Sequence, residues 1–138
     1  VEDGRIYYIR SKGKKSYSIK VYPEAQEIID RYPGKKYLLN TMDRYKDYRE
    51  AVKRVNYKIR DVAESCKINK HITTYWCRHS WATIAMSKEI GASRDDIRYA
   101  LGHATNTVSD IYIDFDQEVV DNVNRRVIDL ILRTPPSE

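Results

Sequence analysis

Cysteine is scarce in this sequence. Cys66 and Cys77 are the two among 138 residues. Neither sits at the companion spacing of a metal-ligand set, which leaves reduced thiols rather than a disulfide scaffold or a zinc module. Long apolar runs are missing as well. No stretch approaches the ~18 residues of a membrane span, and no signal peptide opens the chain. The expectation is a cytoplasmic protein without membrane contact. Repeats, low-complexity runs and interdomain linkers are also absent. What remains is 41% hydrophobic and 33% charged, the balance of an ordinary globular protein rather than a disordered one. At this length the chain is expected to form one domain, or most of one, with a real core.

The net charge of +5 conceals an asymmetry. Residues 1–60 carry 16 Lys and Arg against 8 Asp and Glu, whereas residues 94–138 carry 5 against 9. A basic front and an acidic end point to one surface that faces a polyanion and another turned elsewhere. Nucleic acid is the partner class favoured by that charge.

The opening reads as antiparallel strands. Arg5–Arg10 is rich in β-formers, 11–15 forms a turn, and Ser16–Val21 alternates, with Tyr17, Ile19 and Val21 on one face. Lys12, Lys14 and Lys15 then lie at or beside a hairpin tip. Lysines there ordinarily serve solubility and edge protection, and together they also form a cationic finger suited to a phosphate backbone.

Helices dominate the rest. Tyr22-Pro23-Glu24 starts one that runs to about Tyr32, with Ala25, Ile28 and Ile29 as its stripe and Pro33-Gly34 as its stop. Leu38 and Leu39 in the link that follows are expected in the core. A single long helix is predicted from about Thr41 to Cys66. Tyr45, Tyr48, Val52, Val55, Ile59, Val62 and Ala63 line one side, and its cations face solvent or nucleic acid. The 12 tyrosines are read mostly as core and boundary residues. A helix over roughly 74–89 puts Trp81, Ile84 and Ala85 inward. Ser93 and Asp96 form a capping box for a short helix to Leu101, and Gly102 breaks it. A helix carrying Val108, Ile111 and Tyr112 follows, then a last one over about 116–132. The stripe from Val119 to Ile131 on that last helix either packs on its own chain or docks elsewhere; packing on its own chain is favoured.

Metal chemistry on a phosphodiester calls for an acidic cluster, and none is paired with histidines at ligand spacing. Without a metal, a nucleophile, cations for the developing charge, a proton acceptor and a proton donor are required. Two motifs bear on this. Tyr75-Trp76-Cys77-Arg78-His79-Ser80-Trp81-Ala82-Thr83 is similar to His-x-x-Arg-His-[ST]-x-Ala-[ST]. Leu101-Gly102-His103 is followed nine residues later by Tyr112. In this order and at this separation, the pair resembles the tyrosine recombinases, or phage-type integrases. Arg10-Ser11-Lys12-Gly13 resembles the family's lysine-bearing turn. The tail from Tyr112 to Asp116 and from Asp121 to Arg125 looks most like integrases of Bacteroides-type mobile elements.

The resemblance implies an α+β, mainly helical catalytic core with a small antiparallel sheet at its N-terminal side. It also implies site-specific recombination or integration through a covalent 3′-phosphotyrosine. Tyr112 would be the nucleophile, and Arg78 and His103 would hold the scissile phosphate. Lys12 would protonate the leaving 5′-oxygen. Arg10, Lys14 and Lys15 fit backbone contacts, and His79 is expected to brace the site through a buried hydrogen bond. Double-stranded DNA is the implied partner, with a synaptic tetramer formed on it and no cofactor or metal. Free of DNA, the chain is expected to be monomeric.

Two departures accompany the resemblance. Tyr75 stands where the family has a histidine, and a phenol with a pKa near ~10 is a poor proton acceptor at neutral pH. The family's first arginine, in a Thr-Gly-x-Arg-like motif, has no counterpart in Val1–Tyr8. The expectation is therefore a partial catalytic domain, without a core-binding domain and inactive by itself. A DNA-binding module with a degenerate site, or a type IB topoisomerase-like enzyme, are the alternatives.

Overall fold

The computed structural model describes residues 1–9, 16–102 and 117–133. Helix accounts for 59% of these, beside one two-stranded sheet, so the chain is mainly helical with an α+β character. Contacts divide it into two compact units. One comprises residues 21–79 with Val1, and the other Glu2–Lys20 and Ser80–Glu138.

Alternating β-formers build the sheet. β1 (Arg5–Ile9) and β2 (Ser16–Lys20) are antiparallel, with Arg5 opposite Lys20 and Ile9 opposite Ser16. Tyr8 and Tyr17 face each other across the strands and stack, their ring centroids 5.3 Å apart. Ser18 is half-buried while Ile19 is exposed. The polar residue is drawn in because the Arg5 guanidinium donates to its hydroxyl.

In the first unit, α1 (Pro23–Arg31) starts on a proline whose fixed φ suits the first turn. Its expected stripe is little covered, with Ala25 exposed and Ile29 half-buried. No residue of α1 is buried, and Ile28 and Leu38 are both exposed. Gly34 is required where it stands, because a Cβ there would run into the Tyr37 carbonyl oxygen. The single helix expected over 41–66 is instead two, α2 (Asn40–Asp43) and α3 (Tyr48–Ser65). Two aspartates account for the break. Asp43 turns its carboxylate back onto the backbone N–H groups of Lys35, Lys36 and Tyr37. Asp47 takes extended backbone and accepts the Glu50 N–H at 2.9 Å, capping α3. The apolar stripe of α3 is only partly covered. Ala51 and Ala63 are buried, Val52, Val55 and Ile59 are half-buried, and Tyr48 and Val62 are exposed.

α4 (Thr74–Ala85) begins among residues of the first unit, and the division falls between His79 and Ser80. It ends four residues short of the expected Glu89. The Ala92 N–H returns to the Ala85 carbonyl, and Gly91, at a positive φ of 65°, closes the turn.

The second unit holds the main core. Ala85, Ile90, Ile97, Val123 and Val127 form it, with Trp81, Ile84 and Leu130 packed against them. α5 (Arg94–Ala100) carries the expected capping box. The Ser93 hydroxyl accepts from the Asp96 N–H, and the Asp96 carboxylate accepts from the Ser93 N–H, both at 3.1 Å. Gly102 then leaves the helix at a φ of 63°, a left-handed conformation that a side chain would oppose. α6 (Gln117–Arg133) packs on α5 and β2 of its own chain. Val120, Val123 and Val127 are its buried residues from the expected stripe, while Val119 and Ile131 are exposed. One buried residue was not foreseen. Asp121 lies among these valines and takes Arg5 of β1 in a two-pronged ion pair.

Candidate nucleic-acid interface

The start of α4 is held by a side chain. Asn56 of α3 accepts the Thr74 N–H at 2.9 Å, satisfying one of the first-turn donors that have no helical partner. Tyr75, Arg78 and His79 follow at intervals of three and four residues, which places them on one face of the helix. Tyr75 is 61% exposed, His79 is exposed and Arg78 is half-buried. The Tyr75 and His79 rings meet edge-on, with centroids 4.7 Å apart and planes at 78°. Such a contact is worth roughly 0.5–1.5 kcal/mol when buried and less at an open surface.

His79 therefore differs from its expected place. It braces Tyr75 by ring contact at the surface, where a buried hydrogen bond was anticipated. The phenol now stands where an imidazole was expected and presents an O–H donor beside a guanidinium and an imidazole. All three side chains can donate to an anionic oxygen, and this face has no carboxylate from α4 itself among its first turns. Of the other site residues drawn from the sequence, Arg10, Lys12, Lys14, Lys15, His103 and Tyr112 lie outside the described residues. Among the described residues no group of three His, Cys, Asp or Glu side chains is placed to hold a metal ion. None of their helices is long and apolar enough to cross a membrane.

A second feature adjoins this face. Between α3 and residues 71–73 lies a hollow of about 430 Å³ within the first unit. Arg49, Lys53, Asn56 and Arg60 line it at steps of four, three and four, one straight row along the helix. Tyr48 and Tyr57 stand in its wall, 67% and 41% exposed, although tyrosines were expected in the core and at its boundary. His71 and Thr73 close the other side, directly before the turn that bears Tyr75 and Arg78. The row of cations was visible in the sequence. Its spacing was the signal that separated it from the apolar stripe, and the tyrosines were misassigned because helical periodicity cannot tell a covered flank from an open one.

No family model, curated protein or solved structure matches the chain.

Proposed function

We propose that this chain supplies the later part of the catalytic domain of a site-specific DNA recombinase. The reading rests on the paired motifs from Tyr75 to Thr83 and from Leu101 to Tyr112. The observation that carries it furthest is the open α4 face, on which Arg78 sits with Tyr75 and His79. A guanidinium there can hold two non-bridging oxygens of a phosphodiester at once.

In this reaction the Tyr112 hydroxyl oxygen bonds to phosphorus and gives up its proton to water. The bond from phosphorus to the 5′-oxygen breaks, and Lys12 hands a proton to that oxygen. The 3′-phosphotyrosine keeps the energy of the broken linkage, so a second 5′-hydroxyl can reverse the step on a new strand. Arg78 and His103 stabilise the charge that grows on the phosphate oxygens. DNA duplexes are the substrate, and synapsis of several copies on DNA brings the exchanging strands together.

Tyr75 supports a second reading. With a phenol in the place of the expected proton acceptor, the chain could instead be a DNA-binding module that keeps the fold and has lost strand transfer. A nicked duplex whose leaving strand diffuses away separates the two. With the longest natural protein that carries this sequence, the first reading expects a covalent adduct mapped by peptide mass to Tyr112 and abolished by Tyr112→Phe. Duplex binding with no adduct, unaltered by Tyr112→Phe, overturns it in favour of the second.

A further inference from the structure

We propose that the hollow between α3 and residues 71–73 holds an unpaired stretch of DNA strand, its bases against Tyr48 and Tyr57 and its phosphates along Arg49, Lys53 and Arg60. This deepens the strand-transfer reading, which explains why an unpaired strand is present: a strand cut at its 5′-oxygen must leave its complement before it joins another.

Charge is the first argument. Among the described residues no acidic side chain lines the hollow, while two arginines, a lysine and a histidine do. Arg49 and Lys53 form no ion pair with another described residue. Arg60 is held loosely, 3.8 Å from Glu64 at a surface where both are open to water, a contact of small worth that a phosphate can displace. Eleven residues separate Arg49 from Arg60, about 16 Å of helix at 1.5 Å per residue. That length accommodates two or three successive phosphates of one strand.

The wall supplies the second argument. A surface that touched only phosphates would need no apolar lining, yet Val52 and the two tyrosine rings form part of this one. Tyr57 is already oriented, because the Arg60 guanidinium lies over its ring at 4.9 Å from the centroid. Open aromatic faces beside a cationic row are what unstacked bases require, and every base has a face to stack. A base paired inside a duplex has both faces covered by its neighbours, so the rings add nothing to duplex binding. The third argument is continuity. Asn56 lines the hollow and also holds the Thr74 N–H, so the groove ends at the start of α4, the helix that carries Tyr75 and Arg78.

Anisotropy titrations of the full chain with a labelled oligothymidylate and with a duplex of equal length test this. Replacing both tyrosines, Tyr48→Leu with Tyr57→Leu, should weaken binding of the single strand about tenfold or more while leaving duplex binding within about twofold. Tyr48→Phe with Tyr57→Phe keeps the rings and should retain single-strand binding. Arg49→Gln with Lys53→Gln should lower the slope of log affinity against log salt for the single strand by about 1.4. Far-ultraviolet circular dichroism confirms that each variant keeps its helices. Equal losses for single strand and duplex in the leucine variant, or no loss in either, would overturn the proposal. None of these readouts requires the covalent step assigned to Tyr112. A chain that binds the single strand through these rings but never forms a covalent adduct would sink the recombinase reading and leave the groove standing.

Discussion

Arg5 and Asp121, 116 residues apart in sequence, are joined by two parallel hydrogen bonds of 2.7 and 3.1 Å. The carboxylate side chain is 11% exposed and the guanidinium side chain 21%. Neither charge is well hydrated, so each depends on the other. Asp121→Ala takes the carboxylate from the half-buried arginine, which keeps its bond to Ser18, and should destabilise the chain by roughly 3 kcal/mol. Urea unfolding checks this. Adding Arg5→Leu to Asp121→Ala should recover part of the loss, because the double variant no longer hides an unpaired charge.

Asp43 is tied to acid. The backbone N–H of Lys35 donates to its carboxylate, with further donors from Tyr37 and Lys36 and the Lys36 charge nearby, and together they hold its pKa below the ordinary carboxylate value. A depressed folded-state pKa means stabilisation that is present above the unfolded value and lost as pH falls through the folded one. The turn at 35–37 should therefore loosen only below the usual carboxylate range. Amide exchange at Lys36 and Tyr37, followed from pH 6 downwards, reads this out. Asp43→Asn should exchange faster at neutral pH and show little further dependence on acid.

Trp81 offers a test of the second unit's core. Its indole N–H donates to the Asn124 side chain at 2.7 Å, joining α4 to α6 within that unit. Asn124→Leu preserves volume but strands the donor, which should cost roughly 1–3 kcal/mol. Asn124→Gln, with an acceptor still within reach, should cost less. Thermal denaturation of the two variants ranks them, and equal midpoints would show that the bond contributes nothing.

Tyr75 is the position at which the proposed chemistry is most sensitive. Under that reading Tyr75→His restores a proton acceptor one turn before His79, and adduct formation on the nicked duplex should rise about 100-fold at pH 7. The gain should fade as the new imidazole protonates, near pH ~6.5 in an open setting. A rate unchanged at every pH would mean that the acceptor lies elsewhere in the site.

What could be read from the sequence was local. Ser93 and Asp96 are three residues apart, and a capping box needs nothing beyond that spacing, so α5 was placed correctly from its own letters. The two strands were also placed within a residue at their ends, although Ser18 and not Ile19 is the half-buried one of that pair. Distance in the chain defeated the rest. Nothing near Asp121 announces Arg5, and an aspartate on the apolar side of a helix reads as a misfit until its partner is in view. The break between α2 and α3 was hidden by the regular spacing of Tyr45 and Tyr48, although Asp43 and Asp47 both favour capping over helix interiors. The exposure of Ile28, Leu38 and Tyr48 could not be read at all, because periodicity reports which side a residue occupies and not whether anything covers it. Of the candidate site, the α4 face was legible as a motif, and the groove beside it needed the fold.

The second unit is assembled from Glu2–Lys20 and Ser80–Glu138, fastened by the Arg5–Asp121 pair. That topology sets an order of events during synthesis. Residues 21–79 leave the ribosome with their neighbours already made, whereas β1 and β2 must wait for α6. At 5–20 residues per second the delay between Arg5 and Asp121 is roughly 6 to 23 s. An isolated hairpin is marginal in water over that interval, and its open edges can pair with those of another nascent chain. Slowing translation should lengthen that exposure and lower soluble yield, while a circular permutant that begins at Val21 and makes the hairpin directly after α6 should escape the penalty.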